Sequence, residues 1–205
     1  MAKVITGVFP EKEEKKEENK PVPGYILEIS IMFSDPLIWR RVAVPGSITL
    51  ATLHRVIQLA MGWSDSHVHQ FLIGKISYEP TLGTAGIAES KRFDERNFKL
   101  HTLEEDMGFM FTYLYDAGEG WEHDIRLEEV MPADQNFKYP VLLSGEQACP
   151  PEIVADIHEY QSLIEAAEKQ SDTSYRELSE LSGTAHFDPA FFDLEMAKQR
   201  LADLT

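Results

Sequence analysis

The feature that most limits how this chain can fold is a change of hydrophobic period between Tyr25 and Met61. Tyr25, Leu27, Ile29, Ile31 and Phe33 occupy every second position, the pattern of a strand with one buried face. Ser34-Asp35-Pro36 supplies a turn, and Ile38 to Val44 reads as a second strand, paired with the first as a hairpin and ended by Pro45-Gly46. The period then lengthens. Leu50, Leu53, Ile57, Ala60 and Met61 recur at helical steps, with Thr49 as cap, Ile48 and Leu53 placed as a hydrophobic staple, and Gly62 as terminator.

Further strands are expected at His67 to Ile76, Phe109 to Asp116 and Trp121 to Val130, with Glu79 to Asn97 as a loop. The C-terminal part reads as helical. Ile157, Tyr160, Ile164 and Ala167 mark one face, Tyr175 to Leu181 forms a short helix closed by Gly183, and Leu194, Ala197, Leu201 and Leu204 mark the last, with Asp188-Pro189 as its cap and first residue. The expectation is an α+β fold, a mostly antiparallel sheet of β-grasp-like or roll type with a C-terminal set of helices. A chain of 205 residues suits one core. Residues 25–205 are read as one domain, sheet-rich over 25–145 and helical over 150–204. Residues 1–24 contain the mixed-charge run Glu11 to Lys20 and then Pro21-Val22-Pro23-Gly24, so a disordered or extended lead-in is expected.

Charge and cysteine content exclude several classes. The 1–24 segment holds five lysines and five glutamates, so the net charge of −16 lies on the remainder. Such a surface repels phosphate backbones and disfavours generic nucleic-acid binding. Arg40, Arg41, Lys91 and Arg92 are the candidates for a local basic patch, and are read as solvated or salt-bridged. Trp39 beside them reads as a hairpin anchor covered by arginine stems. A single cysteine, Cys149, rules out an internal disulfide and a multi-cysteine zinc site, so any metal must be held by nitrogen and oxygen. No apolar run is long enough for a spanning helix and no signal-peptide pattern is present, which gives a cytoplasmic expectation. Phosphate-loop, dinucleotide, nucleophile-elbow and HExxH signatures are missing.

Polar chemistry concentrates in two segments, Gly62-Trp63-Ser64-Asp65-Ser66-His67-Val68-His69-Gln70-Phe71 and Tyr115-Asp116-Ala117-Gly118-Glu119-Gly120-Trp121-Glu122-His123. Strand alternation puts His67 and His69 on one face, and His123 on the face of Trp121, Ile125 and Leu127. His67, His69 and His123 are candidate ligands for a divalent metal such as zinc, with a fourth position for water and Asp65, Asp116 or Glu122 as carboxylate ligand or orienting group. A ligand cleft is expected around Trp63, Asp65, His67, His69, Asp116, Trp121 and His123. The structural reading stands beside it: core-edge histidines held by aspartates, serines or carbonyls, with the tryptophans as packing anchors. His54, His158 and His186 are assigned ordinary structural places, and Cys149 a buried inert thiol.

The run Pro36-Leu37-Ile38-Trp39-Arg40-Arg41, then Leu53 to Gln58, Met61-Gly62-Trp63, Asp65-Ser66-His67 and His69-Gln70-Phe71, resembles the plasmid pRiA open-reading-frame-three-like family. Tyr115 to Gly118, Gly120 to His123, Ala148-Cys149-Pro150-Pro151-Glu152, Phe187-Asp188-Pro189 and Phe192-Asp193-Leu194 continue the resemblance, which covers about residues 25–204. It implies kinship with proteins carried on plasmids and mobile elements, some labelled TnpR-like passengers, and membership of the pattern at Trp63, Asp65, His67, His69, Asp116, Gly120, Trp121 and His123 without catalytic roles. The chain departs from the pattern after Glu152, where Ile153 to His158 replaces a glycine-rich stretch, and at Ala117. The serine and arginine cluster of a serine recombinase is not in the sequence. Three functions remain open: a binding protein whose aromatic and histidine cleft takes a protein or small-molecule partner, a metal-dependent hydrolase, and a nucleic-acid-associated accessory protein of a mobile element.

Overall fold

The computed structural model describes residues 21–80, 92–116, 120–173 and 175–204. Its elements run β1 (Gly24–Ile31), β2 (Trp39–Pro45), α1 (Leu50–Met61), β3 (His69–Ile73), β4 (Ile76–Glu79), β5 (Arg92–Asp94), α2 (Glu104–Met107), β6 (Met110–Tyr115), β7 (Trp121–Met131), β8 (Val141–Glu146), α3 (Ile157–Lys169), α4 (Arg176–Ser182) and α5 (Leu194–Ala202). The strands make one eight-stranded sheet in the order β5-β4-β3-β6-β7-β1-β2-β8. Every neighbouring pair is antiparallel except β4 and β5. The fold is α+β, as expected. No helix among the described residues is long and apolar enough to cross a membrane.

The opening hairpin and helix form for the reasons the pattern gives. Tyr25, Leu27, Ile29 and Ile31 are buried on β1. Thr49 accepts from the Thr52 backbone N–H at the start of α1, and Gly62 closes the helix in the left-handed region at φ 90. Leu50, Leu53, Val56, Ile57 and Ala60 bury one helix face in the core shared with the sheet, each large apolar side chain contributing about 1.5–3 kcal/mol. The alternation stops at Ile31. Phe33 is exposed with φ 64, because the chain has already turned: Ser34 Oγ donates to the Ile31 carbonyl and accepts from the Ile38 N–H.

Four expectations are corrected. The strand expected from His67 to Ile76 is two strands, since Gly74 at φ 61 opens a two-residue turn and Ile73 pairs with Ile76. The loop expected from Glu79 to Asn97 has residues 81–91 outside the described part, while Arg92–Asp94 forms β5 and Glu95–Asn97 a 3₁₀ turn capped by Asp94. The last helix is capped by Asp193, whose side chain accepts from Met196 N–H, whereas Asp188 makes a local turn with Ala190. Arg40 is neither solvated nor salt-bridged. It is buried, donates to the carbonyls of Trp39, Ala60, Glu146 and Gln147, and lies 3.7 Å over the Phe192 ring. Burial lowers its pKa to about 10, which leaves it a cation at neutral pH. Gly145 makes room for this arrangement, as a Cβ there would stand 2.7 Å from both Arg40 Cδ and Phe192 Cε1. Arg41 does pair as expected, with Glu128 at 2.6 Å. Of the lead-in expected over 1–24, residues 1–20 lie outside the described part.

The helices leave the sheet two different faces. His69, Phe71, Tyr113, Tyr115, Trp121, His123 and Ile125 are buried against the helical side, with α5 packed on α1 and β8. Their alternates Gln70, Leu114 and Glu122 point the other way.

Candidate functional site

Two polar residues interrupt the buried face of α1, His54 and Gln58, one helical turn apart. They close a circuit of hydrogen bonds with the loop after α1 and with β6. Asp65 N–H donates to Gln58 Oε1 at 3.1 Å, and Gln58 Nε2 donates to the Tyr113 hydroxyl at 3.0 Å. Tyr113 meets His54 Nδ1 at 2.8 Å, and His54 Nε2 meets Asp65 Oδ1 at 2.9 Å. The ionised carboxylate only accepts, so His54 carries its proton on Nε2 and Nδ1 accepts from the phenol. Burial, and then the neighbouring His69, lower the His54 pKa, while burial raises that of Tyr113. Both groups are neutral at pH 7.

The His69 ring lies flat against His54, with centroids 3.4 Å apart and planes within 3°. Its Nε2 meets Glu95 Oε2 at 2.9 Å, and both side chains are almost fully buried. Two imidazoles, each held by its own carboxylate, are thus stacked at the end of β3. Asp65 is the open member, with its side chain 54% exposed and its backbone at φ 60.

A second carboxylate ties the surrounding loops together. Glu152 accepts from the N–H and hydroxyl of both Ser64 and Ser66, and from the Tyr115 hydroxyl. Burial alone would raise its pKa, but the donors of Ser64, Tyr115 and Ser66 bring it down to about 2. Trp63 Nε1 donates to the Pro150 carbonyl at 3.0 Å. The Ala148 to Glu152 loop is therefore pinned to the segment from Trp63 to His67. Cys149 beside it has its thiol pushed up to about 12 by burial, which agrees with an inert side chain.

Of the residues singled out in the sequence, Asp65 and His69 belong to this centre, whereas His67 and His123 occupy separate places around it. His67 lies before β3 begins, packs edge-on against Tyr115, and faces Asp116 at 3.6 Å. His123 is fully buried against the rings of Trp63 and Tyr113; its Nδ1 meets the Tyr113 carbonyl at 3.3 Å, and among the described residues its Nε2 has no hydrogen-bond partner. Burial lowers its pKa to about 4. Among the described residues, the group of metal-ligating side chains whose ligand atoms approach within 4.8 Å of one another is His54, Asp65 and His69, without His67 or His123. Sequence reasoning passed over His54, Gln58, Glu95, Tyr113 and Glu152. A histidine and a glutamine inside an otherwise apolar helical stripe are the signal that was there for the first two.

Beside this cluster, a cleft of about 690 Å³ has walls that include Ile31, Phe33, Leu114 and Ile157, and it contains Asp116, Glu122, Asp156 and Gln70. Gln161 Nε2 donates to the Phe33 carbonyl and so ties that turn to α3. Gly120 closes the return into β7, where a Cβ would stand 2.5 Å from the carbonyl oxygens of Tyr115 and Asp116. Ala117, Gly118 and Glu119 lie outside the described residues.

The model of the family described as plasmid pRiA4b ORF-3-like protein matches residues 23–196. The chain belongs to that family. An uncharacterised protein, y4hQ, of Sinorhizobium fredii is 33% identical over 182 residues, covering 87% of this chain and 90% of the relative. A crystal structure of a protein of unknown function from Methanosarcina mazei Go1 is similar with a TM-score of 0.70 and 29% identity, over 85% of this chain and 97% of that one. The fold is thus shared with the solved structure over most of that chain, and neither description names an activity.

Proposed function

We propose that the chain is a binding protein whose cleft takes a lysine- or arginine-bearing segment of a partner protein. The observation that carries this is the pairing of apolar walls with three carboxylates, of which Asp116 faces the His67 imidazole at 3.6 Å and Asp156 accepts from the Glu159 N–H at the start of α3. Phe33, Ile31 and Leu114 suit the aliphatic stem of a long cationic side chain, while Asp116, Glu122 and Asp156 suit its head. The cations of the lining are Arg92, which pairs with Glu79 at 3.4 Å, and His158, if protonated. Glu122 has no ion-pair partner among the described residues. The charge of −16 adds long-range attraction for a basic partner and repulsion for nucleic acid.

The test uses labelled peptides of matched length and graded net charge, followed by fluorescence anisotropy at low and high salt. Basic peptides are expected to bind saturably, with affinity falling as salt rises, and Glu122→Lys is expected to abolish binding. Equal behaviour of basic and acidic peptides would overturn the reading.

A further inference from the structure

We propose that His54, Asp65 and His69 form a binding site for a divalent transition-metal ion of the zinc type, with Glu95 orienting His69 from behind. One ligand atom from each of the three lies within 4.8 Å of the others. The group holds no cysteine, and a set of two imidazoles and a carboxylate is the nitrogen and oxygen donor set that zinc accepts, with a fourth position left for water.

The outer partners fit the same reading. A metal-bound imidazole is usually held through its second nitrogen by a carboxylate, carbonyl or other polar group. His69 Nε2 is engaged by Glu95 at 2.9 Å, so Nδ1 is the nitrogen left for an ion. His54 Nδ1 is engaged by Tyr113 at 2.8 Å, so Nε2 is left, directly beside Asp65 Oδ1. Gln58 fixes two of these parts at once, since it holds the Tyr113 hydroxyl and the Asp65 backbone. The half-exposed Asp65 opens the site to ions from solvent, whereas both imidazoles are sheltered.

Loading has two local consequences. With Nε2 given to an ion, His54 would carry its proton on Nδ1 and donate to the Tyr113 oxygen, and the phenol proton would have to turn away from that ring. An ion also lies close to the plane of each imidazole it binds, and two stacked rings with centroids 3.4 Å apart and planes within 3° of parallel share no such point. One ring must therefore turn, and the stack opens when the ion enters. This set keeps His69 and the carboxylate candidate Asp65 of the sequence expectation and has His54 in place of His67 and His123, and it does not depend on the cleft taking a cationic partner.

The experiment is calorimetric titration of chelator-treated, folded protein with zinc, repeated with cobalt while its visible bands are recorded. The expected result is one equivalent bound, cobalt bands of a four-coordinate nitrogen and oxygen site, and displacement of the His54 and His69 ring signals in NMR spectra. Glu95→Gln is expected to weaken binding roughly 10–100-fold, and Asp65→Asn and His69→Gln to weaken it further. Asp65 is partly exposed, so its variant keeps the fold and its circular dichroism is expected to match the parent. No saturable uptake by the folded parent, or parental affinity in both Asp65→Asn and His69→Gln, would overturn the proposal. Uptake that is lost instead on replacing His158 or His186 would overturn it equally, by placing the ion elsewhere.

Discussion

The rings of His54 and His69 are stacked 3.4 Å apart, yet each belongs to a different polar partnership, His54 with Asp65 and His69 with Glu95. The hinge of the first partnership is the Tyr113 hydroxyl, which joins Gln58 to His54. Tyr113→Phe takes the partner from His54 Nδ1 and from Gln58 Nε2, and the expected cost is about 1–3 kcal/mol. A lower urea midpoint with an unchanged slope checks it. A parental midpoint would show that the circuit contributes nothing.

Glu152→Gln is expected to loosen the link between the Ala148 to Glu152 loop and the Trp63 to His67 segment. An amide can still accept at one oxygen, but it loses the charge that strengthens bonds from Ser64, Ser66 and Tyr115. The carboxyl sits at about 2 in the fold against an ordinary 4.5. Its contribution is therefore present above 4.5 and is lost as pH falls toward 2. Stability measured against pH should drop less steeply over that range in Glu152→Gln than in the parent.

His123 gives a second acid-sensitive contribution in a different window. Its folded value of about 4 lies below the ordinary 6.5, so the unfolded chain takes up the proton first. Stability is expected to fall as pH drops from 6.5 to about 4, by roughly 3 kcal/mol at 1.36 kcal/mol per unit. His123→Phe should remove the slope in that window, whatever its effect at neutral pH. A slope retained in the variant would assign it to other groups.

Arg40→Met is expected to cost at least about 3 kcal/mol, because the carbonyls of Trp39, Ala60, Glu146 and Gln147 lose a shared donor in a buried place. Arg40→Lys should recover only part of it, since an ammonium cannot reproduce the planar fork. Thermal unfolding of the two variants checks the order.

Much of this architecture was legible in the chain itself. The alternation from Tyr25 to Ile31 and the Thr49 to Gly62 limits of α1 rest on local rules, and the structure follows them. What escaped depends on meetings across the chain. Glu95 reaches His69 from a 3₁₀ turn, and Glu152 reaches Ser64, Ser66 and Tyr115 from a proline-rich loop, so no local period marks either. Strand β8 escaped because it is an edge strand with half of its residues exposed, Val141 and Leu143 among them, and it carries no buried alternation. The two histidine segments did point to the right end of the sheet. Alternation placed His69 and His123 on buried faces, but the partner of the His69 ring came from α1.

The central claim is that the cleft beside this cluster binds a basic partner segment, and NMR titration with a lysine- and arginine-rich peptide tests it most directly. The account predicts saturable shifts at the amides of Gln70, Leu114, Glu122 and Ile157, weakened by salt and lost in Glu122→Lys. Shifts confined to other surfaces, or shifts at these amides that persist unchanged in Glu122→Lys, would contradict it.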